Sequence, residues 1–360
     1  MEKEAPKRVN LGKSIIVPSV QELAKESITN IPSRYEIENG DQPDRPINPS
    51  LPLSIPVIDL QRLLHGDFKN HEELDKLHLA CKEWGFFQVV NHEVSASFLE
   101  TFKIEVTNFL KLPMEEKKKL WQEEDNQEGF GQLFVVSEDQ KLEWCDMFFL
   151  ITLPPELRKP GLYNKLPQNL RVTLESYIAA IKDLAQTLLN QMAKALGIDE
   201  GEMTELFNEM HQTMRMNYYP PCPEPNKAIG LRPHSDATTL AILHQLNDTV
   251  GLEIKKDGNW VPVMPLENAF VVNIGDALEI LSNGVYRSIE HKATVNRMKE
   301  RISVGTFNSP NIDSEIGPAK SIIGPLNPPL FRTQPLTQYY MEFFASKLNG
   351  KSHLEVIRLQ

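Results

Sequence analysis

From residue 211 onward the chain breaks into short β-prone segments, near 212–219, 238–245, 251–255, 269–274, 286–295 and 301–308, with Gly, Pro, Asn and Asp between them. No other feature constrains the fold as tightly. Short, evenly spaced strands bury their apolar faces by closing into a barrel or stacking as two sheets, and a double-sheet jelly roll of about eight strands is one such solution. Upstream the pattern is helical. Leu174, Ile178, Ile181, Ala185, Leu188 and Met192 recur at three and four residues, which predicts one long amphipathic helix over 170–196, packed as a buttress. Before it, a strand over 55–60, a helix over 72–84, a strand over 85–91 and helices over 95–110 and 114–120 form an α-rich leader. A last helix is predicted over 336–348.

The expected class is therefore α+β, with a double-stranded β-helix (jelly-roll) core at 211–325. Around it lie an N-terminal arm at 1–54, an N-terminal region at 55–165, buttressing helices at 166–210 and a C-terminal helix within 326–360. Pro43, Pro46, Pro49 and Pro52 mark the arm as an irregular lead-in.

The net charge of -11 argues against a nucleic-acid partner, because phosphate neutralisation draws on clustered Lys and Arg. A small, uncharged or weakly basic molecule is the better ligand. The three cysteines, Cys81, Cys145 and Cys222, show no zinc or disulfide spacing, which predicts a reducing compartment. The stretch Ser14 to Val17 is too brief for a signal-peptide core, and no run reaches the roughly 18 apolar residues of a membrane helix. A cytoplasmic monomer is expected, with no membrane contact.

His234-Ser235-Asp236 opens the β-rich half, and along an extended backbone residues i and i+2 share a face. An imidazole and a carboxylate there can grip one cation. With His291 as third ligand, supplied by a later β-prone segment, the set is two histidines and one carboxylate, the arrangement of non-haem Fe(II) oxygenases. His65-Gly66-Asp67 repeats the tripeptide in a Gly-containing polar turn and reads as loop. His244, in an apolar strand, reads as a packed histidine, as do His92 and His211; Asp276 reads as a turn or helix cap.

Ten residues after His291, Arg301, Ser303, Gly305 and Phe307 fall on one face of a β-like stretch, and Ile302, Val304 and Thr306 on the other. A guanidinium fork beside a hydroxyl suits one end of a dicarboxylate, although an Arg paired with a structural acid gives the same pattern. Asn217 and Tyr219 share a face with Arg215, opposite Met214, Met216 and Tyr218. They can hold an organic acid beside the metal, or simply line a solvated sheet face.

At these residues the chain resembles the plant 2-oxoglutarate and Fe(II)-dependent dioxygenases. Ile55-Pro56-Val57-Ile58-Asp59-Leu60, Trp84-Gly85-Phe86-Phe87-Gln88, Asn91-His92, the segment from Asn217 to Pro223, His234-x-Asp236, His291 and Arg301-x-Ser303 fall in the family's order. The likeness spans about 15–350, and Pro18 to Ala24, Ile31 to Tyr35 and Leu74 to His78 are most similar to its codeine O-demethylase and senescence-related branch. One departure is Glu93, where the family usually has Gly, which puts local turn geometry in question.

The resemblance implies Fe(II) on His234, Asp236 and His291, the distal carboxylate of 2-oxoglutarate on Arg301 and Ser303, and contacts to the same cosubstrate from Tyr219 and Asn217. It also implies a substrate pocket lined by Phe307, Met147 and Phe149, of which parity supports only Phe307. The implied reaction consumes O2, with ascorbate as reductant, releases succinate and CO2, and hydroxylates or O-demethylates a plant specialised metabolite such as an alkaloid, phenolic or flavonoid. Two other readings share the motifs: an ascorbate-driven oxidase of the same fold, and a non-catalytic, metal-containing small-molecule binder.

Overall fold

The large sheet and the long helix behind it organise the molecule, a computed structural model that describes residues 14–26, 28–37, 54–65, 72–123, 126–135, 137–344 and 352–359. Most of the expected entry arm, Gly66 and Asp67, and positions 345–348 of the last expected helix lie outside the described residues.

Eight strands form the large sheet, in the spatial order Val57–Asp59, Phe86–Val90, Phe270–Ile274, Leu240–Gln245, Arg301–Ser309, His211–Tyr219, Asp146–Leu153 and Gly129–Gly131. All neighbours are antiparallel except the first pair. Leu231–His234, His291–Ala293, Leu252–Lys256 and Asn259–Pro262 make a second, four-stranded sheet. The two sheets face each other: Leu252, Ile254 and Val261 of the small sheet pack with Phe86, Val271 and Leu243 of the large one. This is the two-layer jelly roll that the strand spacing predicts.

The other face of the large sheet is covered by helix Gln168–Leu196. Its stripe of Leu174, Ile178, Ile181, Ala185, Leu188 and Met192 packs with Met214, Met216, Ile302 and Val304 from the sheet, and with Phe102 and Val106 of helix Ala96–Leu110. Alternation thus gives the central strands two environments. Each fully buried aliphatic side chain in that layer contributes roughly 1.5–3 kcal/mol. Gly197 ends the helix in the left-handed conformation at φ 72, where a side chain is strained.

The leader is less separate than its helical texture suggests, because two of its strands extend the large sheet. Strand Val57–Asp59 is shorter than expected, since Leu60 already begins helix Leu60–His65. Strand Asp146–Leu153 lies outside the expected elements: its run Met147 to Ile151 is apolar throughout, so it shows no alternation to read. The segment expected over 286–295 supplies only His291–Ala293. Asp276 is the first residue of helix Asp276–Leu281 rather than its cap, a place taken by Gly275. Glu93, where a Gly was the family expectation, adopts φ 63 in the left-handed region.

Candidate metal centre and substrate cavity

His234 ends strand Leu231–His234, and the ladder sets it directly opposite His291. Asp236 lies just past the strand end. The three side chains converge: Asp236 Oδ1 is 3.5 Å from His234 Nε2 and 3.7 Å from His291 Nε2, and one donor atom from each residue lies within 4.8 Å of the others. All three are buried.

Backbone carbonyls fix the two rings. His234 Nδ1 lies 2.7 Å from the Arg232 oxygen and His291 Nδ1 lies 3.1 Å from the Ile289 oxygen, so Nδ1 donates in each and Nε2 is the metal-facing nitrogen. Burial and the neighbouring His234 lower the His291 pKa to about 4, which keeps that imidazole neutral. Burial opposes the charge on Asp236, but the two histidines and an Asn273 hydrogen bond outweigh it and hold the carboxyl below its usual range.

Asn273, in strand Phe270–Ile274, and Asp276, just after it, grip the metal loop from behind. Asn273 Nδ2 donates to Asp236 Oδ2 at 2.7 Å, the Asp276 amide donates to the Asp236 carbonyl at 2.7 Å, and Ser235 Oγ donates to Asp276 Oδ2 at 3.0 Å. With Oδ2 engaged, Oδ1 is the oxygen turned to the imidazoles. The approach is so close that a Cβ on Gly275 would sit 1.9 Å from the Thr238 oxygen.

Arg301 opens strand Arg301–Ser309, opposite Tyr219, with Ser303 opposite Asn217. Its Nη1 is 3.5 Å from Ser303 Oγ, and its guanidinium carbon lies 5.2 Å from the centre of the Tyr219 ring. No carboxylate among the described residues pairs with this buried cation, so the structural-acid alternative finds no partner here. The Asn217 Oδ1 is also buried without a partner.

These groups open into one cavity of roughly 1170 Å³, mouth included. Phe149 and Phe307 are in its wall, together with Thr213, Arg215 and His211. Arg215 is buried, its Nε has no partner, and Glu143 is 4.0 Å from its Nη2. At the mouth Phe134 stacks on Phe344 with ring centres 5.3 Å apart and meets Phe343 edge-on at 5.8 Å. Met147 differs from its expected position. It is fully buried, and Leu133, which packs against it, stands in the wall instead.

Residues 210–310 match the model of the 2-oxoglutarate and Fe(II) oxygenase superfamily, and residues 55–169 match that of the N-terminal region of non-haem dioxygenases in morphine synthesis. The chain is 49% identical to an oxoglutarate-dependent flavonoid 7-O-demethylase of Ocimum basilicum, over 97% of this chain and 93% of that one. It is 47% identical to codeine O-demethylase of Papaver somniferum, over 99% and 100%. The chain belongs to the 2-oxoglutarate and Fe(II)-dependent oxygenases. Among solved members, the crystal structure of JOX2 in complex with 2OG, Fe and JA superposes with a TM-score of 0.85 at 33% identity, covering 96% of this chain and 98% of that one.

The donor set of this oxygenase fits its iron: two neutral-capable imidazoles with defined tautomers and one carboxylate oxygen, in a cavity whose lining also holds a buried arginine, with no acid partner among the described residues, for an organic anion. Two polar residues here escape sequence reasoning, Asn273 behind Asp236 and Gln245 behind Arg301. Neither belongs to a motif, and the only signal for Gln245 is its parity with Leu243 and Ala241, which face the cavity. His244, by contrast, lies among Phe102, Tyr177 and Phe270 on the helix side, and His92 packs on Phe270 while bonding the Asn268 carbonyl.

Proposed function

We propose that this oxygenase hydroxylates or O-demethylates a flat, methoxylated plant metabolite, a flavonoid or an alkaloid, with release of succinate and CO2. The observation that carries the reading is the joint placement of His234, Asp236 and His291 beside an acid-free Arg301, at the base of a cavity walled by Phe149 and Phe307. The names of the basil and poppy relatives support the O-demethylase form.

In this reading His234, Asp236 and His291 hold Fe(II), whose chemistry when bound is reductive activation of O2 coupled to decarboxylation of 2-oxoglutarate. Arg301 and Ser303 take the distal carboxylate, with Tyr219 and Asn217 beside them. Phe307 and Phe149 press a ring against the cavity wall and aim one C–H bond. If that carbon is an O-methyl group, its hydroxylation gives a hemiacetal that collapses to formaldehyde and a free hydroxyl. No side chain is needed as general acid or base. The three free, buried cysteines fit a reducing compartment, and no helix among the described residues is long and apolar enough to cross a membrane.

The test is incubation with Fe(II), ascorbate, 2-oxoglutarate and a panel of methoxylated flavonoids and alkaloids. Substrate-dependent succinate with loss of CH2, or gain of oxygen, is the expected result. Product formation that persists without 2-oxoglutarate points to the ascorbate-driven oxidase, and succinate that never exceeds background across the panel overturns the substrate class.

A further inference from the structure

We propose that Gln245 is a positioning residue for cosubstrate selection: its side-chain oxygen holds the Arg301 fork in place while leaving the guanidinium charge free for an incoming carboxylate. The inference rests on the reading of Arg301 as the anchor of the distal carboxylate.

Gln245 ends strand Leu240–Gln245, directly opposite Ser303 in the ladder. Its Oε1 accepts from Arg301 Nε at 3.2 Å and from Nη2 at 3.1 Å, the edge of the fork that a carboxylate grips in a bidentate pair. Of the five N–H groups, the second on Nη2 and those of Nη1, next to Ser303, remain for a ligand at the end of the fork. The amide cannot turn over. Its Nε2 donates to the carbonyls of Asn247 at 2.8 Å and Thr249 at 2.9 Å, which accept and cannot donate, so the oxygen must point to Arg301. Room for this arrangement comes from Gly251, where a Cβ would lie 2.8 Å from Arg301 Cδ.

A neutral holder matters because of charge. A buried guanidinium held by dipoles alone retains its full attraction for an anion, whereas one already paired with a carboxylate does not. Glutamate at 245 would fill the fork with a resident anion and repel the distal carboxylate of 2-oxoglutarate. A merely structural glutamine, closing the turn through Asn247 and Thr249, would have no bearing on which keto acid binds.

The experiment titrates the full chain, loaded with Mn(II), with 2-oxoglutarate and with 2-oxopentanoate, which keeps the keto-acid end and has a methyl group in place of the distal carboxylate. Wild type is expected to prefer 2-oxoglutarate by about 100-fold or more, the scale of two charge-assisted bonds. Gln245→Glu should weaken 2-oxoglutarate by at least about tenfold and 2-oxopentanoate by less than about twofold. Gln245→Met, neutral but without the acceptor, should reduce the preference by about threefold or more, and it decides the matter if the glutamate variant does not fold. Arg301→Ala separates the two claims. If it erases the preference while the Gln245 variants keep the wild-type ratio, or weaken both acids in step, the role of Gln245 is overturned and the anchor stands. If Arg301→Ala itself keeps the preference, the anchor reading falls and the inference with it.

Discussion

On the helix side of the large sheet His244 is enclosed by aromatic rings, with its Nδ1 buried and unbonded. Across the cavity His234 and His291 each have one nitrogen fixed by a backbone carbonyl and the other aimed at a shared carboxylate. The same residue type thus serves packing on one side and ligation on the other. The difference extends along whole strands. Met214, Met216, Ile302 and Val304 saturate the contact with helix Gln168–Leu196, whereas Arg215, Asn217, Arg301 and Ser303 face a cavity with polar atoms still to be satisfied. One layer supplies stability, and the other holds binding capacity at the expense of it.

Substitutions can break or sharpen that division. Asp236→Ala, on the cavity side, should lower 2-oxoglutarate-dependent succinate release by more than about 100-fold, beyond what loss of a supporting residue costs, while the urea midpoint stays near wild type. Retention of full succinate release would remove Asp236 from the metal. Ile181→Ala, on the helix side, should do the reverse, costing about 2–5 kcal/mol in denaturant unfolding with the affinity for 2-oxoglutarate unchanged. A change in affinity larger than the change in stability would mean that the layers are coupled.

The third and smallest effect is a pH slope. Burial, with the charges of His92 and Lys103, depresses the His244 pKa to about 3, below the ordinary unfolded value near 6.5. Unfolding therefore takes up a proton. The contribution to stability is complete above pH 6.5 and is lost as pH falls towards 3. His244→Phe should shallow the acid limb of stability between pH 6.5 and 4. It cannot flatten it, because His211 and His291, both depressed to about 4, share the sign. An unchanged limb, measured by urea midpoints at several pH values, would show that His244 titrates freely.

What could be read in advance follows the same division. Parity along Arg301–Ser309 and His211–Tyr219 assigns faces correctly, because each strand has an apolar side against the helix and a mixed side towards the cavity. The convergence of His234, Asp236 and His291 was legible because their chemistry is scarce and their spacing fits adjoining strands. Asn273 and Gln245 were not, since a neutral amide acquires meaning only from what it touches. Strand Leu231–His234 was hidden by its brevity and by Pro233, and Asp146–Leu153 by burial of both its faces. The exchange of Met147 for Leu133 in the wall lies beyond parity, because it depends on a loop packing over the strand.

The carboxylate of Asp146 has a practical consequence for anyone shortening the chain. At the head of the strand that carries Phe149, it accepts from Ser19 Oγ at 2.6 Å and from the amides of Val20 at 2.7 Å and Gln21 at 3.0 Å. Burial raises its pKa against those donors. Trimming beyond Ser19 would leave the acid interred with its donors gone, and Ser14 and Val17 are buried ahead of it, so a cut has to fall before Ser14, however dispensable helix Val20–Lys25 looks from outside.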